Sequence, residues 1–279
     1  MAKSALLKSS IGKKYWMALT GLFLCLFLVG HLAGNLQLLF GTQLQFNEYA
    51  LFMTTNPAVK ILSYVTYISI LFHAIDGILL TIQNKKARPI GYAKNNAAAN
   101  SAWASRNMAV LGTLILIFIA THMVNFWAKM HFTTMPLQKI TVESQTGGAP
   151  QEFYLTSGWG QDKFIPVQTV DGENVVLEGR DFYSVKPVKV KFAEGYKDLH
   201  TITIEFFKDP KLGLAFTIFY VFSMAVLAFH LLHGFNSAFQ SLGANNPKYT
   251  PAIKVFGKGF AIIVPLLFAI IPLYIHFFK

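Results

Sequence analysis

The sequence predicts an all-α membrane protein, a five-helix transmembrane bundle with a small β-rich extramembrane insertion between the third and fourth helices. Three observations lead there: an apolar composition, five long hydrophobic runs, and one abrupt polar interruption. The chain is 53% hydrophobic and 15% aromatic, with 26 Phe and only 13% charged residues, and its mean hydropathy is +0.44. That balance belongs to an integral membrane protein. Runs at 16–40, 58–83, 108–130, 212–239 and 255–278 are each long enough to cross roughly 30 Å of hydrocarbon at about 1.5 Å per residue. The chain therefore divides into helices 1–3 over 1–130, an outer insertion over 131–211, and helices 4–5 over 212–279.

The first run follows Lys3, Lys8, Lys13 and Lys14, which imitates a secretory signal. Its apolar stretch exceeds the usual 7 to 15 residues, so it is read as a retained helix. It contains Cys25, the one cysteine, which excludes a disulfide within the chain and any C-x-x-C-H haem attachment.

Charge sets orientation. With the amino terminus inside, Lys85, Lys86, Arg88, Lys94, Arg106, Lys248, Lys254 and Lys258 join the first four lysines on the cytoplasmic side, whereas the first outer loop, 41–57, has neither Lys nor Arg. This is the positive-inside bias. The net charge of +11 therefore reports topology and anionic lipid, and nucleic-acid binding is excluded as a role.

After helix three the composition turns polar, with Gly147-Gly148, Pro150, Pro166, Gly172 and Pro187. Segments 164–170 and 173–177 flank Asp171-Gly172, a dipeptide suited to a two-residue hairpin, and alternation resumes at 188–192 and 201–206. These predict strands. The insertion has no evident catalytic constellation: His200 stands alone, and its acidic residues read as solvated faces.

Helix four repeats the most informative feature of the other apolar runs. His31, His73, His122 and His230 each lie inside a different one, and an ionisable side chain in hydrocarbon is costly and usually functional. Depth sorts them. His31 and His122 lie 15 and 14 residues beyond the inner starts of outward-running helices, or roughly 21–23 Å from the inner boundary. His73 and His230 precede the inner ends of inward-running helices by 10 and 9 residues, or roughly 14–15 Å from that boundary. Two haems, each held by a histidine pair, account for this. Small residues stand where a macrocycle would need them: Gly30 and Gly34 beside His31, Gly77 one turn past His73, and Gly234 one turn past His230. The competing reading makes them ordinary buried histidines and packing glycines. His233, one turn from His230, is the alternative helix-four ligand, while His131 and His276 sit at helix ends and read as interfacial tips.

The chain resembles the five-helix cytochrome b subunits of succinate:quinone oxidoreductases, particularly the dihaem b558 type. The residues that carry the likeness are Ser10-Ile-Gly-Lys-Lys-Tyr-Trp-Met-Ala-Leu-Thr-Gly21, His31-Leu-Ala-Gly-Asn35, Phe72-His-Ala-Ile-Asp-Gly77, Thr121-His122 and Phe229-His-Leu-Leu-His-Gly-Phe-Asn236. The resemblance implies His230 as the helix-four ligand, and an electron-transfer role between an iron–sulfur subunit and membrane menaquinone. A flavoprotein (FAD) subunit would then carry the dicarboxylate chemistry. It also implies a multi-pass bacterial cytoplasmic membrane protein, with the amino terminus cytoplasmic and the carboxyl terminus and cap periplasmic, in a complex that can oligomerise further. Two features depart from the family: the long insertion, and Ala228 where some members carry a glutamate two residues before the ligand. That puts one transmembrane proton route in doubt.

For quinone protonation the candidate is Glu48, the carboxylate outside the cap on the outer side; its plain reading is a solvated loop charge. Asp76 follows His73 by one turn, and Lys85, Lys86, Arg88 and Arg106 are candidates for haem propionates or lipid phosphates. Two other readings stand beside this one: the cytochrome b subunit of a different quinone-linked dehydrogenase, and a haem-free membrane transporter.

Overall fold

A computed structural model of the chain describes residues 9–90, 96–143, 148–157 and 163–279. Lys3, Lys8, Lys94 and Gly147 lie outside the described residues. Among those described, five helices are long and apolar enough to span a membrane: Ser10–Phe40, Pro57–Lys86, Met108–Phe132, Gly213–Ser241 and Thr250–Phe278. A six-stranded antiparallel sheet lies between the third and fourth.

The first span is α1 (Ser10–Asn35), capped by Ser9, whose hydroxyl accepts from Gly12 N at 2.9 Å, and extended by the short α2 (Gln37–Phe40). The first outer connection, expected as a loop, is largely helical: α3 (Gln43–Thr55) follows α2 after Gly41. Its start is a reciprocal cap in which Thr42 Oγ1 accepts from Gln45 N and Thr42 N donates to Gln45 Oε1, satisfying two donors that a helix end otherwise leaves open. Asn56 caps α4 (Pro57–Lys86), with Pro57 in the first turn and Lys85 and Lys86 in the last, where cations suit the helix dipole. The short α5 (Ala97–Asn100) and α6 (Trp103–Arg106) precede α7 (Met108–His122). A π-helical stretch, Met123–Ala128, follows His122 and leads into α8 (Lys129–Phe132).

In the insertion the strands are β1 (Lys139–Val142), β2 (Gln151–Ser157), β3 (Lys163–Pro166), β4 (Val175–Glu178), β5 (Asp181–Ser184) and β6 (Val190–Gly195). The order is β1-β2-β6-β5-β4, with β3 on β2. Leu137, Ile165, Phe182 and Ala193 form its core. Segment 164–170 is a strand only to Pro166 and then a 3-10 turn, Val167–Thr169. Asp171-Gly172 is not a hairpin turn, since β3 pairs with β2 and β4 with β5. The Asp171 carboxylate instead accepts from the backbone of Asn174 and Glu173, which holds it well below the usual carboxylate range. The true two-residue hairpin is Gly179-Arg180 between β4 and β5, with Gly179 at φ +66°, a conformation that glycine adopts at no steric cost. The strand expected at 188–192 runs from Val190 to Gly195.

Segment 201–206 is not a strand. It lies within α9 (Leu199–Lys208), whose N-cap Asp198 accepts from Thr201 N at 3.1 Å. The alternation in Thr-Ile-Thr-Ile mimics a strand, but Leu199, Thr203, Phe206 and Phe207 recur at helical spacing and pack against the bundle. Tertiary burial decides between the two periods.

The remaining helices are α10 (Gly213–Ser241) and α11 (Thr250–Phe278). In α11, Pro265 and Pro272 are buried and each removes a backbone donor, a loss tolerated where neighbouring helices cover the site. Helix α1 packs on α4, α4 on α7, α7 on α10, and α10 back on α1, so four helices close a ring; α11 lies outside it against α10 and α1. Pairs α1/α7 and α4/α10 therefore face each other across the interior. The outward faces carry exposed Ile61, Leu62, Tyr64, Val255 and Phe256, a surface suited to hydrocarbon.

Candidate functional site

The diagonal helix pairs hold the four intramembrane histidines. His31 on α1 meets His122 on α7 with ring centroids 5.8 Å apart. His73 on α4 meets His230 on α10 at 6.2 Å. These are the pairs that depth alone selects. Leu32 and Tyr220, neighbours of the first pair, share a core with Phe46 of α3 and Phe207 of α9, so that pair is on the cap side of the bundle.

The cap-side pair sits in an aromatic shell. His31 stacks on Phe27 at 5.2 Å and lies 5.7 Å from Phe268, while His122 stacks on Phe118 and approaches Phe126. Asn35 Nδ2 donates to the His31 carbonyl at 2.8 Å and reaches 3.5 Å from its Nδ1. His122 Nδ1 is 3.3 Å from the Tyr220 hydroxyl. Sequence reasoning missed Tyr220; a tyrosine inside an apolar run was its only signal.

In the far pair, His73 Nδ1 is 3.2 Å from the Met17 carbonyl and 3.3 Å from Thr20 Oγ1. A carbonyl only accepts, so Nδ1 carries the proton and Nε2 keeps its lone pair. His230 Nδ1 is buried with no partner among the described residues. The glycines divide. A Cβ at Gly21 would stand 3.2 Å from His73 Cε1, and one at Gly112 or Gly234 would meet the His230 ring at 3.8 or 3.9 Å. Gly30 and Gly77 face open space. Gly34 serves a different purpose from the one expected: a Cβ there would overlap the Tyr49 ring, so it allows α3 to approach α1.

These residues fit a bis-histidine haem. A metal–imidazole bond of roughly 2 Å on each side, with about 1 Å more to each ring centre, separates two ligating rings by about 6 Å, close to both observed spacings. Each pair offers two nitrogens, a donor set suited to a metal that brings its other ligands with it. Gly21, Gly112 and Gly234 let helix backbones come close to the His73 and His230 rings.

The other candidates are dispersed. His233 is half-buried one turn from His230, and it is His230 whose ring faces His73. His131 bonds the Trp127 carbonyl and His276 that of Phe207, as helix-end histidines do. Glu48 is half-buried on α3, two residues from core residue Phe46, and so sits at the end of the bundle holding His31 and His122. Asp76 is half-buried on α4. Lys85, Lys86 and Arg88 are exposed, and Arg106 binds carbonyls of Ala97 and Ser101.

His200 is not alone, and not every acidic residue of the insertion is solvated. Asp198 is buried and accepts from Asn47, Gln43 and Thr201; Asn47, fully buried, also bonds Gln138 and His200 N. Burial raises the Asp198 pKa, but those donated hydrogen bonds outweigh it and hold the carboxyl below its usual range. This network fastens the cap to α3. No family model, curated protein or solved structure matches the chain.

Proposed function

We propose that the chain is the dihaem cytochrome b membrane-anchor subunit of a succinate:quinone oxidoreductase (succinate dehydrogenase/fumarate reductase, complex II). The observation that carries this reading is the pair of facing imidazoles at each of two levels in one helix ring, 5.8 Å and 6.2 Å between centroids. In this reading His31 and His122 would hold the cap-side haem b, and His73 and His230 the other. Bound haem supplies one-electron redox chemistry.

The chain's own residues do the rest. Met17 O and Thr20 fix the His73 ring and tautomer, and Tyr220 orients His122, the outer hydrogen bonds that set a ligand's basicity. Phe27, Phe118, Phe126 and Phe268 exclude water from the cap-side pair. Glu48 accepts or delivers the proton for menaquinone at that end. The end away from the cap, with Lys85, Lys86 and Arg88, docks the iron–sulfur subunit, itself joined to the flavoprotein. The positive-inside bias puts that end in the bacterial cytoplasm, and the cap and carboxyl terminus in the periplasm. With Ala228 where some family members carry glutamate, no proton route through that position is assigned.

The test is purification of the tagged full chain from its own membrane in mild detergent. The expected preparation contains a flavoprotein and an iron–sulfur subunit, and added succinate reduces a b-type absorbance. A different dehydrogenase in the preparation, or absorbance indifferent to succinate, would overturn the reading.

A further inference from the structure

A cavity of about 280 Å³ lies where the cap meets the bundle, and nothing proposed above uses it. It far exceeds the roughly 10–15 Å³ that one water requires. Its walls are α3, the last turn of the third span, and two cap loops. Because α3 joins the cap-side ends of the first two spans and α8 ends the third, the cavity is level with the boundary between hydrocarbon and water. Aromatic side chains mark that level: Phe52 and Phe132 are exposed, and the Trp127 indole donates to the Tyr67 hydroxyl at 2.7 Å. Such rings gather at membrane interfaces.

The charge in the cavity has one sign. The cap contributes the cations Arg180 from the β4–β5 turn and Lys197 from the approach to α9, α8 adds the imidazole of His131, and no carboxylate is among the described residues of the lining. Arg180 pairs with Glu194, which Lys191 also approaches, and Lys191 pairs in turn with Asp181; Lys197 has no carboxylate partner among the described residues. Lys197 donates to the Met130 carbonyl at 2.7 Å, holding the cap to the end of α8. Burial first, and then the Arg180 charge, push the Lys197 ammonium below its usual range. Like charges gathered on one cavity cost free energy that an anion between them removes. The rest of the lining includes apolar Leu51 and Met130, so the space suits a ligand with an anionic group and a hydrocarbon part.

We propose that this cavity binds the phosphate of an anionic phospholipid from the cap-side face of the membrane, held by Arg180, Lys197 and His131, with its hydrocarbon part against Leu51 and Met130. The lipid then bridges cap and bundle. A free phosphate would satisfy the cations equally, but the boundary position and the apolar lining select the lipid. The proposal is independent of haem.

The experiment uses the detergent-solubilised, delipidated full chain, titrated with dioleoylphosphatidylglycerol, dioleoylphosphatidylcholine or inorganic phosphate and read by native mass spectrometry. One phosphatidylglycerol per chain should bind at least tenfold more tightly than phosphatidylcholine, ~1.4 kcal/mol, and millimolar phosphate should not displace it. Arg180→Gln and Lys197→Gln should each weaken binding about tenfold, while Lys197→Arg retains it. Since Lys197 also holds the cap to α8 and Arg180 pairs within it, Thr54→Phe serves as a variant that fills the cavity and spares both; it should exclude the lipid with circular dichroism unchanged. Equal affinity for the two lipids, or tight binding that survives Thr54→Phe, would overturn the proposal. Displacement by phosphate would overturn the lipid source and leave a free-anion site.

Discussion

His73 and His230 face each other, yet their second ring nitrogens are treated differently: Met17 O and Thr20 engage one, and nothing among the described residues engages the other. The proton held on His73 Nδ1 leaves its Nε2 free to hold a metal, as the proposed reading requires. That reading makes the pairing testable residue by residue. His31→Ala and His122→Ala should each remove the same component from the reduced-minus-oxidised spectrum, and His73→Ala and His230→Ala the other. His233→Ala should keep both. Loss of one component from both His31→Ala and His73→Ala, in proteins that remain folded, would contradict the diagonal arrangement. Glu48→Gln is the companion case for the quinone. It should leave both haems bound and succinate-to-haem transfer intact, while turnover of a menaquinone analogue falls at least tenfold, ~1.4 kcal/mol in barrier. Wild-type kinetics would return Glu48 to a structural role on α3. The ligand candidates were legible as residues because an ionisable group in an apolar run stands out. Tyr220 and Thr20 were not, because a hydroxyl on a helix gives no sign of the neighbour it will meet.

Among the elements, α9 was hidden by its own alternation, and its cap explains both the concealment and its importance. By sequence Asp198 is a solvated acid, since charge shows there and burial does not; in the fold it collects donors from Gln43, Asn47 and Thr201. Asp198→Ala removes the acceptor those three donors share, leaving Gln43 and Asn47 one hydrogen bond short and the Thr201 N–H uncapped, at a cost of about 1–3 kcal/mol for a buried polar group. Limited proteolysis at neutral pH should then cut within 131–211 faster than in the wild type; unchanged cutting would show that the network does not hold the cap. Its pH dependence has a definite sign. The folded carboxyl is held below the unfolded value of about 4, so its contribution is present above that value and is lost as pH falls through the folded one. Thermal unfolding of the wild type should therefore soften below pH 4 more steeply than that of Asp198→Asn, and parallel curves would remove Asp198 from the account. Strand positions in the cap were legible only to within a few residues. Asp-Gly and Gly-Arg compete as turns, and the choice depends on which strands pair.

At the scale of the molecule, vertical order was readable and lateral order was not. A helix rises by a constant amount per residue, so counting from the membrane boundary placed His31 level with His122 and His73 level with His230 without any structure. Which helix stands beside which depends on side-chain packing. The closed ring of α1, α4, α7 and α10, with α11 outside, came only from the fold. That ring turns four separate histidines into two facing pairs, and α11 supplies none of them. Gly21, Gly112 and Gly234 allow the helix backbones to approach the far pair of imidazoles closely. The most direct measurement is therefore the haem content of the purified full chain, by pyridine haemochrome against quantitative amino-acid analysis, with acid-acetone extraction. The account predicts two b-type haems per chain, both extractable because no cysteine motif anchors them; a ratio near zero, or haem that resists extraction, would contradict it.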